Sequence, residues 1–294
     1  MEKPKLYGAI EMGGTKCVCA VGLSAQELLA TETFPTNSPA VTFACLIEFF
    51  RDTATQLGEI SCIGIGSFGP VDINTHSSNY GSILQTPKPG WSNTSYFEQL
   101  AALDTPLTIN TDVNAAALGE YLYGAHPVSS SLAYVTVGTG IGVGVVKDGA
   151  SLSGLSHYEM GHIRPPHDSA RDPYKGCCPF HGDCLEGLAS GPAIAERWGS
   201  LLSELDSSSI QLEAGYLAHL CQTIILTHMP ERIVLGGGVM KTAGLLEQVR
   251  KSTAEQLAGY VNVKPITGDL NNYICAPGLG DRSGLVGTLA LAER

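Results

Sequence analysis

Cys178, His181 and Cys184 stand in the run CPFHGDCLEG at the spacing C-x2-H-x2-C. Two thiols and an imidazole this close in one loop are zinc ligands by type, and Pro179 and Gly182 supply the tight turn that folds them together. A fourth ligand must come from elsewhere, and His157, His162 and His167 lie just upstream. Four protein ligands would close the shell and make the metal structural rather than catalytic. The bland alternative is three surface side chains on a loop. Glu159, three residues before His162, and Glu186, two after Cys184, flank these positions. A metal joining the two segments would hold both carboxylates as acceptors for the hydroxyls of a polyol; without it they read as solvated surface acids.

A second chemistry is carried by glycines. In AYVTVGTGIGVGVVKDG, residues 133–149, glycine recurs at 138, 140, 142 and 144. The run is not a dinucleotide fingerprint. G-x-G-x-x-G would need glycine at 143 or 145, where Val143 and Val145 stand, and the segment continues as a β-branched strand rather than a helix. A Walker A loop is excluded, because no Gly-Lys is followed by Ser or Thr. The pattern is strand, glycine turn, strand, and it occurs once more in LYGAIEMGGTKCVCAVG, residues 6–22. Here Gly13 and Gly14 form the turn, with the Thr15 hydroxyl and the Lys16 cation beside it. Glycine turns let bare N–H groups converge on an anion, so the pair suits a polyphosphate. Either turn alone is an ordinary hairpin.

Asp112, in INTDVNAAALGE, falls where a strand gives way to a helix. It reads as an N-cap and equally as an acceptor at the strand end, where α/β proteins hold ligands. Asn114 follows close by.

The elements that must position these groups alternate between strand and helix. The first hairpin leads to a third strand at ATETFPT. A helix follows over SPAVTFACLIEFFRDTATQL, with Ser38 as N-cap and Pro39 as its first residue. ISCIGIGSFGPVD reads as a buried strand, and residues 75–95 as a long loop of the kind that carries function. YFEQLAAL is helical, TPLTINT a strand and NAAALGEYLYG helical. After the second hairpin, residues 150–190 are loop-rich. SGPAIAERWGSLLSEL and LEAGYLAHLCQTIILTHM are helices, RIVLGGGVM a strand ending in a glycine turn, AGLLEQVRKSTAEQLAGYV a helix, YICAPG a strand, and GLVGTLALAER a closing helix. This is a mixed α/β chain.

A length of 294 residues suggests two domains, and 44% apolar residues suffice for a sizeable core. The net charge of −11, with only 17 Lys and Arg, argues against nucleic acid or anionic membrane as partners. The N-terminus has no signal-peptide character and no stretch is long enough to span a bilayer, so a cytoplasmic location is expected. Nine cysteines, an odd count, do not suggest a disulfide framework. Cys17, Cys19, Cys45, Cys62, Cys221 and Cys275 read as small core residues, and Cys177 as a spare thiol.

In this order the motifs resemble the ROK family of bacterial sugar kinases. GAIEMGGTKCVCAVG and VGTGIGVG resemble its phosphate motifs, GIGSFGPVD and PKPGW its sugar-side loops, and TDVNAAALGE the segment of the catalytic aspartate. EMGHI and CPFHGDCLEG resemble the sugar and zinc segments, and VLGGGV the adenosine-side motif. The resemblance covers nearly the whole chain. It implies an α/β fold of the actin-like ATPase (ribonuclease H-like) type in two domains. The smaller is expected over 1–112 plus 281–294, and the larger, with the zinc loop, over 113–280.

By the same resemblance Asp112 is the general base. Glu159, His162 and Glu186 contact sugar, while Gly69, Asn114 and Pro89-Gly90-Trp91 line the sugar side. His162, Cys178, His181 and Cys184 hold zinc. Glu11, Gly13, Gly14, Thr15 and Lys16, with Gly138, Thr139 and Gly140, serve Mg²⁺ and the ATP phosphates, and Gly236, Gly237 and Gly238 the adenosine. Glu11 stands where many members have aspartate, and C-x2-H-x2-C where glucokinase-like members have only cysteines. The second departure resembles the fructokinase branch. The implied reaction is transfer of the ATP γ-phosphoryl group to a neutral hexose, foremost D-fructose, by a homodimer that closes over its sugar. The alternatives are glucokinase or mannokinase activity, or sugar binding without catalysis. Repressors of the family carry a helix-turn-helix ahead of the first phosphate motif, and only seven residues precede Gly8.

Overall fold

The computed structural model describes residues 4–125, 128 and 130–294. The chain divides into two compact units. The first comprises 1–123, 151–157 and 282–294, and the second 124–150 and 158–281.

The first unit is built on a sheet of five strands. β1 (Leu6–Met12), β2 (Lys16–Ser24) and β3 (Glu27–Pro35) form an antiparallel meander, and β4 (Ile60–Ser67) and β5 (Leu107–Thr111) add in parallel, giving the order β3-β2-β1-β4-β5. The reason lies in the pattern. β4 runs ISCIGIGS and is buried at every position from Ile63 to Ser67, as a central parallel strand must be, whereas β3 alternates along an exposed edge. Helix α1 (Pro39–Leu57) starts at its proline. Ser38 takes the N-cap position, but its side chain makes no capping bond. The core gathers Phe43, Leu46 and Phe50 of this helix with Ile10, Ile63 and Ile65 of the sheet. The 75–95 segment is a loop as expected, pinned by isolated bridges Val71↔Ile83 and Ser82↔Ser95, and α2 (Tyr96–Gln99) is one turn long.

Helix α3 (Asp112–Tyr123) belongs to this first unit, which moves the division from the expected 112 to 123. α3 packs on the C-terminal helix of the chain, Ser283–Ala292, and the two backbones touch. A Cβ on Gly287 would overlap the Ala115 carbonyl, and glycine alone permits that approach.

The second unit repeats the plan. β6 (Ser131–Val137) and β7 (Ile141–Lys147) form the second hairpin, the short β8 (Ala150–Ser151) follows, and β9 (Ile233–Gly236) and β10 (Ile274–Cys275) are parallel additions, in the order β10-β9-β6-β7-β8. Both glycine hairpins therefore occupy the same place in their sheets. α4 (Leu185–Ala189) and α5 (Gly191–Trp198) follow the cysteine loop. The helix expected to run to Leu205 stops at Gly199, which is left-handed at φ +70°. α6 (Ser207–His228), capped by Asp206, and α7 (Leu245–Leu257) pack together, α8 (Lys264–Gly268) and α9 (Leu270–Tyr273) are short, and α10 is the Ser283–Ala292 helix already met.

Candidate functional site

In the first unit the chemistry collects at the carboxyl ends of β1, β4 and β5, where Met12, Ser67 and Thr111 lie in register. This is the edge at which parallel α/β sheets hold ligands. Glu11 is one residue short of the end of β1, and its carboxylate fills the space above Gly284, in the first turn of α10. Asp112 opens α3. The cap is Thr111, whose Oγ1 accepts the Asn114 N–H at 3.1 Å, so the capping reading of Asp112 passes to its neighbour. One Asp112 oxygen, Oδ1, accepts the N–H of Val113 at 2.8 Å. This bond orients the carboxylate.

The Gly13–Lys16 turn is held from its carbonyl side. Thr36 Oγ1 donates to Gly13 O at 2.8 Å, the Thr36 N–H to Thr15 O at 2.9 Å, and the Gly13 N–H to Lys16 O at 2.9 Å. The Lys88 ammonium donates to Gly14 O at 2.6 Å. Among the described residues the N–H groups of Gly14 and Thr15 have no partner. A turn with its carbonyls engaged and two N–H groups vacant has the geometry to receive an anion.

The sugar-side expectations of this unit meet different fates. Gly69 and Gly90 are exposed loop residues, Gly90 at φ +80°. The Val71 N–H, just after Gly69-Pro70, donates to His157 Nε2 at 3.3 Å. Trp91 is a correction. It is fully buried, its ring packs against Phe43 and Phe68, and its Nε1 donates to Asn37 O at 2.8 Å. It anchors its loop in the core and presents nothing to a ligand. Asn114 is also buried, and its Nδ2 donates to Asn110 Oδ1 at 2.7 Å, so its amide is committed to the fold.

In the second unit the Gly138–Gly140 turn joins β6 to β7, closed by Gly138 N–H to Gly140 O at 2.9 Å. Helix α5 grips one end, since the Gly191 N–H donates to Gly138 O at 2.8 Å. Glu186 grips the other, with Oε2 accepting the Ile141 N–H at 2.9 Å. Gly140 has no side chain because Glu186 needs the space: a Cβ there would stand 2.6 Å from Oε2. Thr139 is exposed at the tip. Gly236 ends β9 in register with Thr136, and Gly237 and Gly238 follow it at the same sheet edge.

The cysteine loop folds as its spacing predicts. Cys178 and Gly182 bond reciprocally, and Gly182 is left-handed at φ +65°. His162, Cys178, His181 and Cys184 bring their ligand atoms within 4.8 Å of one another. His162 Nδ1 stands 3.4 Å from Cys184 Sγ and 3.8 Å from Cys178 Sγ, with His181 Nδ1 3.6 Å from Cys178 Sγ. A tetrahedral zinc with bonds of about 2.3 Å to sulfur and 2.0–2.1 Å to nitrogen demands N···S edges of roughly 3.6 Å. The four residues fit the ion. Burial pushes the Cys184 thiol up to about 11, a cost that a bound cation offsets. Of the three upstream histidines, His162 joins the cluster. His167 instead lies 3.5 Å from Asp183 and 3.0 Å from the Asp172 carbonyl.

His162 turns its other nitrogen, Nε2, toward Glu186 Oε1 at 3.9 Å. Glu159 is exposed and starts the Met160–His162 turn, its carbonyl accepting the His162 N–H at 3.0 Å. The second unit thus brings together a Cys/His cluster able to hold a metal, the Glu186 carboxylate beside it and a glycine turn gripped by that carboxylate. Lys88, Thr36 and Ile141 escaped sequence reasoning. Lys88 alone left a signal, a lone cation between two prolines in an acidic chain.

Comparison with known proteins agrees with this geometry. Residues 7–294 match the ROK family. The fructokinase of Zymomonas mobilis is 44% identical over 297 residues, 98% of this chain and 96% of that protein. The fructokinase of Pediococcus pentosaceus is 39% identical over 292 residues, 98% of each. The crystal structure of a ROK hexokinase from Thermus thermophilus superposes with a TM-score of 0.78 at 26% identity, covering 98% of both chains.

Proposed function

The chain belongs to the ROK family, with the actin-like ATPase fold, and from that premise we propose that it is an ATP-dependent fructokinase forming fructose 6-phosphate. The observation that carries the sugar is the 39–44% identity to fructokinases over nearly the full length of both partners.

The chemistry follows from the residues. The Gly14 and Thr15 N–H groups and the Gly138–Gly140 turn bind phosphate oxygens through backbone donors, a means open to a chain with few cations. Gly236, Gly237 and Gly238 serve the adenosine side. Glu11 is the carboxylate that suits Mg²⁺, an ion that takes one or two carboxylates plus substrate phosphates and neutralises charge on the transferring group. Glu159 and Glu186 accept bonds from sugar hydroxyls. Asp112 takes the proton of the primary hydroxyl as that oxygen bonds to the γ-phosphorus. The bond from phosphorus to the β–γ bridging oxygen breaks, ADP leaves, and the proton passes from Asp112 to solvent. Positioning and charge supply most of the rate.

His162, Cys178, His181 and Cys184 hold one structural zinc, which supplies no step and fixes the loop that leads into Glu186. A cytoplasmic location accords with nine free thiols and with the absence, among the described residues, of a helix long and apolar enough to cross a membrane. The homodimer rests on family resemblance alone.

The test is kcat/KM for fructose, mannose, glucose and N-acetylmannosamine with MgATP. Fructose should lead, since a site that bonds each hydroxyl discriminates by up to roughly 10⁴–10⁵. Glucose or N-acetylmannosamine ahead of fructose by about tenfold or more, over 1.4 kcal/mol in transition-state binding, overturns the fructose assignment and leaves the kinase reading standing.

A further inference from the structure

The loop between β4 and α2 holds Lys88, in the run TPKPGW. Its ammonium reaches back to the first glycine turn and donates to Gly14 O at 2.6 Å and to Thr36 O at 3.0 Å. The same ammonium lies 5.9 Å from the centroid of the Trp91 ring, which is itself buried and bonded to Asn37 O. One cation thus ties together three separate stretches: the turn, the 36–37 segment and the loop.

Such a commitment is unusual for lysine, whose ammonium is strongly hydrated and whose stem is flexible. Two charge-assisted bonds to carbonyls compensate when the carbonyls must be kept in place. They must be kept here. Thr36 holds the carbonyls of Gly13 and Thr15, and Gly13 itself holds that of Lys16. Gly14 O is the remaining one, and Lys88 holds it. Gly14 has open space around it and no Cβ, and among the described residues no other hydrogen bond fixes the Gly14–Thr15 peptide plane. If that plane rotates, the Thr15 N–H, on the far side of the same peptide, turns away from the anion.

We propose that Lys88 is a positioning residue for nucleotide: it fixes the Gly14–Thr15 peptide so that its N–H meets the polyphosphate of ATP, and it adds positive charge behind the backbone N–H groups of the turn. The 84–94 loop, expected to serve the sugar, thereby acts on the phosphate side. The inference rests on the reading of the Gly13–Lys16 turn as a phosphate site.

Lys88→Met keeps the length and apolar stem and removes the cation. Lys88→Arg restores a cation with donors. MgADP binding is measured by calorimetry without sugar, together with KM for ATP, KM for fructose, kcat and Tm. In Lys88→Met the Kd for MgADP and the KM for ATP should each rise about tenfold, the loss of one bond from a charged donor, with KM for fructose within about twofold. Lys88→Arg should return both nucleotide constants to within about threefold of the parent. Unchanged MgADP affinity in Lys88→Met overturns the proposal, as does a rise confined to the KM for fructose. Equal losses in the Met and Arg variants overturn the role of charge. If Lys88→Met fails to fold, Lys88→Gln against Lys88→Arg makes the same comparison. A parent enzyme that binds MgADP yet prefers another sugar refutes the fructose reading and leaves this one intact. A parent that does not bind MgADP refutes the phosphate reading and this inference with it.

Discussion

The carboxylate of Glu186 and the amide of Ile141 meet at 2.9 Å, and through that bond the loop of the Cys/His cluster supports a glycine turn whose next residue lies 45 positions earlier in the chain. One oxygen, Oε2, is committed to the turn, and the other faces His162 Nε2 at 3.9 Å. The two jobs separate by mutation. Glu186→Gln can keep an oxygen on the Ile141 N–H while putting a donor where the second oxygen was. It should raise KM for fructose by about 10–100-fold, the loss of a charge-assisted acceptor, and leave KM for ATP within about threefold. Glu186→Ala loses both functions and should raise both constants. Steady-state kinetics with each substrate varied in turn decides it; equal effects of Gln and Ala on ATP would deny the turn its dependence on Glu186.

Asp112 has one oxygen, Oδ1, held by the Val113 N–H, and the helix cap is supplied by Thr111. Asp112→Asn therefore keeps the fold and the orienting bond while removing the base. We expect kcat to fall by about 10²–10⁴ with MgADP affinity and Tm nearly unchanged. A folded Asp112→Asn enzyme of near-normal kcat would remove Asp112 from the chemistry.

Much of this was legible in the sequence, and what was not has physical reasons. Alternation and glycine placement announced both hairpins, because a turn needs local chemistry that neighbouring residues display. C-x2-H-x2-C announced the clustered Cys/His loop for the same reason. Trp91 misled, because the resemblance of PKPGW to a sugar-side loop does not say which way the ring faces, and only the packing of Phe43 and Phe68 shows that it is core. Asn114 misled likewise, since its partner Asn110 is visible only once the β5–α3 junction is folded. The place of α3 depended on contact with α10, at the far end of the chain. Lys88 went unread because its partners, Gly14 and Thr36, are 74 and 52 residues away.

The four-residue cluster should carry about one zinc per chain. Cys184→Ala should lose it, lower Tm, and raise the KM of both substrates, because Cys184 immediately precedes α4, which carries Glu186. Burial holds the metal-free Cys184 thiol at about 11, so zinc uptake should release protons and weaken as pH falls. Elemental analysis and a chelator titration followed by Tm test this. Purified protein without metal, and activity indifferent to strong chelators, would refute it.

Glu213, in the first half of α6, is fully buried, and among the described residues neither of its oxygens has a hydrogen-bond partner. The cation nearby already faces one carboxylate, although among the described residues its guanidinium nitrogens make no hydrogen bond of good geometry. Arg197 Nη2 lies 3.0 Å from Asp172 Oδ2, which also accepts the Tyr216 hydroxyl at 2.7 Å, and the guanidinium is flanked by the rings of Tyr174 and Trp198. A second carboxylate here would be an excess negative charge. Burial accordingly holds the Glu213 carboxyl well above its ordinary range, with Arg197 opposing and Asp172 adding to the rise. The folded protein therefore keeps this proton at a pH where the unfolded chain, with a glutamate titrating near about 4.3, has released it. Stability is undiminished below about 4.3 and falls as pH rises from there toward the folded-state value. Glu213→Gln keeps the shape and removes the titration. It should raise Tm at neutral pH by about 2–4 °C for each kcal/mol recovered, and the gain should shrink to nothing as pH approaches about 4. Comparing the two proteins at each pH cancels the loss of zinc in acid, which both share. A variant less stable than the parent at pH 7 would show instead that Glu213 is ionised and held by Arg197.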